Sequence, residues 1–268
     1  MKELITYAAS LFVGLSLGMI GAGGSILTVP VFIFILKIDP LTSSIYSMFV
    51  VGISSLAGGI KSIFHKLVDI KTMIVFGIPS VTGVLVARNF IFPSIPDQIF
   101  SLGGFVVSKK ILFMFCISTL MFFAAVKMLQ AASSKREALP DGQHIKPGFL
   151  IMQGLIVGII TGLFGIGGGF LIVPALYFWT HLPMKKAVGT TLLIIAMNSL
   201  FSFSTCYASS VINWSLLIRF SLGAIIGIFI GTRIAEKISG DYLKKIFGWF
   251  VMAISFYIVI KQFTFHTG

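Results

Sequence analysis

Two apolar stretches, 144 residues apart, carry glycine and proline in the same register. Residues 14–30 run GLSLGMIGAGGSILTVP and residues 158–174 run GIITGLFGIGGGFLIVP. Gly14/Gly158, Gly18/Gly162, Gly21/Gly165, Gly23/Gly167, Gly24/Gly168 and Pro30/Pro174 coincide without a gap. Glycine costs helix stability, and consecutive glycines break a helix, so a repeated cluster inside apolar sequence needs a reason. Paired Gly/Pro-interrupted apolar segments at matching points of two halves point to a solute-binding site inside a membrane.

The composition sets the same frame. Of the 268 residues, 57% are hydrophobic and 10% are charged, against about 25% charged in soluble domains. The expectation is an all-α polytopic membrane protein. The net charge of +12 comes from basic residues scattered between apolar spans, which suits topology and lipid headgroups and excludes a nucleic-acid-binding surface. Cys116 and Cys206 sit within apolar spans and form neither a disulfide framework nor a CxxC pair.

In chain order, Leu4 to Met19 is a first apolar helix, Gly21 to Gly24 a break, and Ile26 to Leu36 a piece too short to cross ~30 Å of hydrocarbon. Spans follow from Ser44 to Phe64, Ile70 to Val86 and Ile111 to Leu129, with an extended loop over residues 89–108. The second half repeats the plan: Phe149 to Phe164, a break at Gly165 to Gly169, Phe170 to Trp179, then Val188 to Ala208, Trp214 to Ile234 and Lys244 to Val259. Asn213 falls at the position of Asp69, and Gly227 at that of Gly83. Between Lys109-Lys110 and Lys244-Lys245 the offset drops to 135, so the first half carries nine more residues, in the 89–108 loop. The organisation is a first repeat over residues 1–130, a polar linker at 131–147 and a second repeat over 148–268.

Orientation depends on what each break does. If each broken segment crosses once, the 20 basic residues divide ten against ten between the two sides. If each dips in and returns, seven (Lys2, Lys37, Arg88, Lys109, Lys110, Arg219, Lys261) face thirteen. The positive-inside rule asks for such a bias and favours re-entrant segments in inverted repeats. Inverted repeats also make alternating access simple, since the halves exchange conformations.

A helix that starts inside the membrane leaves its first N–H groups unpaired and carries about +0.5 of an elementary charge there. Gly21, Gly23, Gly24 and Ser25 lead into one such helix, and Gly165, Gly167, Gly168 and Gly169 into the other. Two such N-termini facing each other would hold a small anion. The same glycines also allow close helix packing, the better reading for Gly14-x-x-x-Gly18 and Gly158-x-x-x-Gly162. Thr190, Thr191, Asn198 and Ser199 put polar groups in one span, either as interhelical glue or as donors to an oxyanion. Arg219, five residues into the span that opens at Trp214, either snorkels to headgroups or faces a cavity. His65 and Asp69 belong to a solvated link or to a proton pathway.

The four histidines are dispersed, with no HExxH, GxSxG or phosphate-loop motif. No cofactor, metal site or catalytic set is expected, and transport would be secondary, coupled to protons or sodium. The alternatives are a membrane scaffold or assembly protein, in which the repeats supply shape only, and an intramembrane enzyme.

On these residues the chain resembles the TauE/SafE family of bacterial sulfite exporters and related permeases, over nearly its whole length. The strongest parts are residues 14–30 and 158–174, followed by the PMKKAVGTT run at 183–191. The resemblance implies a multi-pass protein of the bacterial inner membrane with two related halves. It implies movement of small sulfur-containing or organic anions such as sulfite, thiosulfate or a sulfonate. The chain departs from that pattern in its longer 89–108 loop and in Ser25, where the second half has Gly169.

Overall fold

The computed structural model describes residues 2–21, 23–96, 98–102, 105–133, 147–164, 169–180, 182–207 and 212–264. In order, these form α1 (Lys2–Ile20), α2 (Gly23–Pro30) with a π-turn at Val31–Ile35, α3 (Pro40–Phe64) and α4 (Ile70–Val86). A second π-turn (Ala87–Ile91) and the short α5 (Phe92–Ser94) prolong α4, and a hairpin follows, β1 (Gln98–Leu102) with β2 (Phe105–Ser108). Then come α6 (Lys109–Ser133), α7 (Pro147–Phe164), α8 (Gly169–Trp179), α9 (Met184–Cys206), α10 (Trp214–Lys237) and α11 (Gly240–Thr264). Among the described residues four helices are long and apolar enough to cross a membrane: Leu41–Phe64, Ile70–Ser94, Met184–Cys206 and Trp214–Lys237. Large apolar side chains such as Phe12, Ile78, Phe123, Ile218 and Trp249 face outward, as a lipid solvent permits.

The expected elements form, with one difference. Residues 89–94 are helical rather than an extended loop, because Pro93 sits in the first turn of α5, where its missing N–H costs nothing. The span therefore runs to Ser94, and Arg88 lies inside it. The expected linker at 131–147 falls largely outside the described residues.

Local signals explain where helices start and stop. Asp39, Asp69 and Asn213 cap α3, α4 and α10 by accepting the backbone N–H groups of Thr42, Thr72 and Leu216. Gly21 ends α1 with φ of +74°, a left-handed turn that a side chain would oppose. Pro30 and Pro174 lie inside α2 and α8, where each removes one i→i−4 bond.

Packing follows the small residues. A Cβ on Gly14 would come within 2.8 Å of Ala224 Cα, and one on Gly158 within 2.8 Å of Ser80 Cα. Gly18 likewise abuts the backbone at Ile228, and Gly162 that at Val84. Contacts advance together along both chains, so α1 runs parallel to α10, and α7 parallel to α4. Gly52 meets Leu200 and Gly59 meets Leu193, so α3 and α9 are antiparallel. Lys61 reaches Thr232 while Tyr46 reaches Asn213, so α3 runs with α10. Asp69 meets Thr190 and Ser80 meets Asn198, so α4 runs with α9. Helices α1, α3 and α10 thus point one way, and α4, α7 and α9 the other.

Helix α2 turns back. Ile20, at the end of α1, packs in a cluster with Val188 and Ala235. Phe32 instead sits 4.7 Å from the Phe220 ring, near the start of α10. Helix α9 is the hub: it touches α3, α4, α8 and α11, and 72% of its span is buried.

Candidate functional site

The central helix also buries a run of polar side chains. Thr190, Thr191, Asn198, Ser199 and Ser202 are all buried on α9. Two of them are spent on structure. Thr190 Oγ1 accepts the Asp69 N–H at 3.0 Å, tying the start of α4 to α9. Asn198 Nδ2 donates to Ser80 Oγ at 2.8 Å, tying the two helices near their middles. The other polar atoms are not spent. Asn198 Oδ1, Ser199 Oγ and Thr191 Oγ1 are buried and find no hydrogen-bond partner among the described residues. Buried polar atoms are normally satisfied, so each calls for an explanation.

Asn198 and Ser199 line a cavity of about 230 Å³, counting its open mouth, together with Met48, Val84, Arg88, Thr161 and Ser202. Arg88 supplies its charge. Its Nη1 lies 3.1 Å from Met48 Sδ, 3.1 Å from Cys206 Sγ and 3.4 Å from the Ser202 carbonyl. Among the described residues no carboxylate forms an ion pair with it. A guanidinium has five N–H donors in a planar fork, and soft sulfur and one carbonyl answer only part of that capacity. An intramembrane cation without a counter-ion, facing a cavity with hydroxyls, suits an anion. The π-turn at Ala87–Ile91 places it there: the extra residue in the turn re-aims Arg88 relative to a continuous α-helix.

A second cavity, of about 320 Å³ counting its open mouth, lies farther along α9, towards its start, and is lined in part by Gly18, Ser62, Lys185, Gly189, Thr232 and Glu236. The lining residues of α9 step from Ser199 and Ser202 in the first cavity to Lys185, Gly189 and Leu192 in the second.

The residues singled out in the sequence are distributed unevenly over this geometry. Asn198 lines the first cavity; Thr190 serves as the anchor described above, and Thr191 lies one residue on. Gly21 is buried, and a Cβ there would lie 2.9 Å from Val188 Cγ1, a residue of the second cavity's wall. Gly23, Gly24 and Ser25 form the first turn of α2, and Gly169 begins α8. Gly165, Gly167 and Gly168 lie outside the described residues. Arg219 is exposed, its Nη2 donating to Ser215 Oγ at 2.8 Å one turn earlier, and it lines neither cavity. Arg88 and Thr161 line the first cavity without having been singled out in the sequence. The one available signal was a lone arginine followed by Asn89 and more apolar sequence, which extends the span beyond it.

The sulfite exporter TauE/SafE family profile matches residues 6–258. The chain belongs to the TauE/SafE family. Its TauE/SafE relatives include a probable membrane transporter protein of Xylella fastidiosa, 26% identical over 97% of this chain and 95% of that protein. The probable membrane transporter protein YunE of Bacillus subtilis is 27% identical over 88% of this chain and 90% of its own length. A probable membrane transporter protein of Methanocaldococcus jannaschii is 38% identical, over 41% of this chain and 43% of that protein. No solved structure matches this TauE/SafE chain. Membership, together with the apolar spans, makes it a membrane transporter.

Proposed function

We propose that this protein is a permease for small oxyanions of the sulfite, thiosulfate or sulfonate class, in the cytoplasmic membrane of a bacterium. The anion binds at Arg88, with Ser199 and Asn198 supplying neutral hydrogen bonds and Thr161 closing the wall. One observation carries this reading: Arg88 lies within a span, without a carboxylate, on a cavity that also holds unpartnered polar atoms of Asn198 and Ser199.

The same proposal takes residues 1–130 and 148–268 as inverted repeats joined by 131–147, working by alternating access. Several observations support it. Positions related by 144 residues make related contacts: Gly14 on Ala224 and Gly158 on Ser80, or Gly83 on Ile159 and Gly227 on Leu15. Helices at equivalent positions (α1 and α7, α3 and α9, α4 and α10) point in opposite directions, and α2 returns along α10. Ser55 and Ser199, also 144 apart, both bury a hydroxyl without a partner among the described residues. Each half then offers one wall to a path along α9, and rocking the halves opens the two cavities in turn.

The test is flux in proteoliposomes with sulfite, thiosulfate, sulfate and ethanesulfonate. Arg88→Ala should lower flux of the favoured anion about a hundredfold, and Arg88→Lys less, because the charge remains while the fork is lost. Wild-type flux in Arg88→Ala would place the anion elsewhere, with the glycine breaks next in line.

A further inference from the structure

We propose that the His65–Glu236 pair is a proton-binding site that couples anion movement to the proton gradient, an inference that rests on the permease reading above. His65 Nδ1 and Glu236 Oε1 are 2.7 Å apart, joining the end of α3 to the last turn of α10. Among the described residues Glu236 is the one carboxylate lining either cavity, and it lines the one farther from Arg88. The His65 side chain is 43% exposed and that of Glu236 28%, so a proton can reach the pair from outside while the carboxylate still faces inward.

The surroundings give the pair its function. On α3, Lys61 Nζ donates to Thr232 Oγ1 at 2.6 Å and to the Phe229 carbonyl at 3.0 Å, and its charge attracts Glu236 through space. From α9, Lys185 lines the cavity and donates to the backbone carbonyl of Glu236. Lys186 follows it, Lys66 follows His65, and Arg233 and Lys237 flank Glu236 on α10. The two nearby aspartates are engaged elsewhere: Asp69 caps α4, and Asp241 pairs with Lys244. Glu236 is therefore the local counter-charge of a cationic cluster. A proton added to the imidazole takes up the Glu236 charge in an ion pair, and a second on the carboxyl removes it. Either leaves the lysines in surplus, and the surplus draws an anion into the cavity. Proton and anion thus bind cooperatively, and by linkage each raises the affinity for the other. A half-exposed ion pair of this kind contributes little to stability, so holding α3 to α10 is a weak reason for it.

Thiosulfate in proteoliposomes is the probe, because its charge does not change over the neutral pH range. Two readouts are taken from the same vesicles: exchange of internal for external thiosulfate at equal pH, and net accumulation under a pH gradient imposed in either direction. Wild type should do both. Glu236→Gln, which leaves the lysines in surplus at any pH, should keep exchange while gradient-driven accumulation falls about tenfold or more, and His65→Gln, which leaves the carboxylate as a standing counter-charge, should lower both. Both variants are checked for monodisperse behaviour in detergent. Exchange in wild type without net accumulation under a pH gradient of either sign overturns the coupling and leaves the permease reading standing. So does undiminished accumulation in both variants. Absence of exchange for every anion in the panel overturns the permease reading itself, and the coupling with it.

Discussion

Asn198 on α9 donates through Nδ2 to Ser80 Oγ on α4, at 2.8 Å, with its Oδ1 buried and unpartnered. The amide is fixed on one side and open on the other. A serine hydroxyl both donates and accepts, so a half-turn of the amide keeps the Ser80 bond and swaps acceptor for donor on the open side. Asn198 can therefore present an NH₂ group to an anion, should Arg88 hold one as proposed, without loosening α4 from α9.

Replacing Asn198 by aspartate should be more damaging than replacing it by leucine. The two side chains are similar in size to asparagine, but a carboxylate in the Arg88 cavity is an internal anion that pairs with the guanidinium and occupies the site. Anion flux should fall at least tenfold below that of Asn198→Leu, with both proteins still folded. Equal flux in the two variants would argue that Asn198 does not share its space with the substrate.

Close helix contact makes a second expectation. Gly158→Ala puts a methyl group within 2.8 Å of Ser80 Cα, so α7 and α4 must separate, at a cost of about 1–3 kcal/mol of overpacking. Gly148→Ala, on the same helix, meets nothing within 4 Å and should be neutral. Unfolding in mixed detergent micelles, followed by circular dichroism, should separate the two variants clearly.

Much of this architecture was legible in the sequence, and for physical reasons. Gly21 stops a helix and Asp69 and Asn213 start helices through purely local chemistry, so their positions can be read without a partner. The site was less legible. Arg88 looks like a cap after Val86 until the π-turn and Pro93 carry the helix on to Ser94, and no periodicity rule anticipates the extra residue of a π-turn. The bond between Ser80 and Asn198 spans 118 residues and depends on α4 lying parallel to α9. Arg219 drew attention by its place in a span, yet Ser215 one turn back satisfies part of it on the exposed face.

Acid sensitivity should have a contribution from the start of α3. The Thr42 N–H, donating to Asp39 Oδ2 at 2.9 Å, holds the Asp39 carboxyl below its usual value of 3.8. A carboxyl whose pKa is lower in the folded state stabilises that state above its unfolded pKa, and the contribution is lost as pH falls through the folded one. Asp39→Asn keeps a good cap and removes the titration. Thermal midpoints of wild type and Asp39→Asn should run in parallel from neutral pH to about 5 and diverge below about 4, with wild type dropping faster.

Cys206 offers a native reporter of the cavity. Its sulfur lies 3.1 Å from Arg88 Nη1, whereas Cys116 is exposed on α6 and can be removed as Cys116→Ser. In that background a negatively charged methanethiosulfonate should modify Cys206 faster than a positively charged one, because the guanidinium attracts the first and repels the second. Modification adds a sulfonate beside Arg88 and should abolish anion flux. The transported anion should slow the reaction, and anions that are not transported should leave its rate unchanged. Charge-blind labelling without protection would mean that Arg88 does not govern access to this cavity, and the anion site would have to be sought elsewhere along α9.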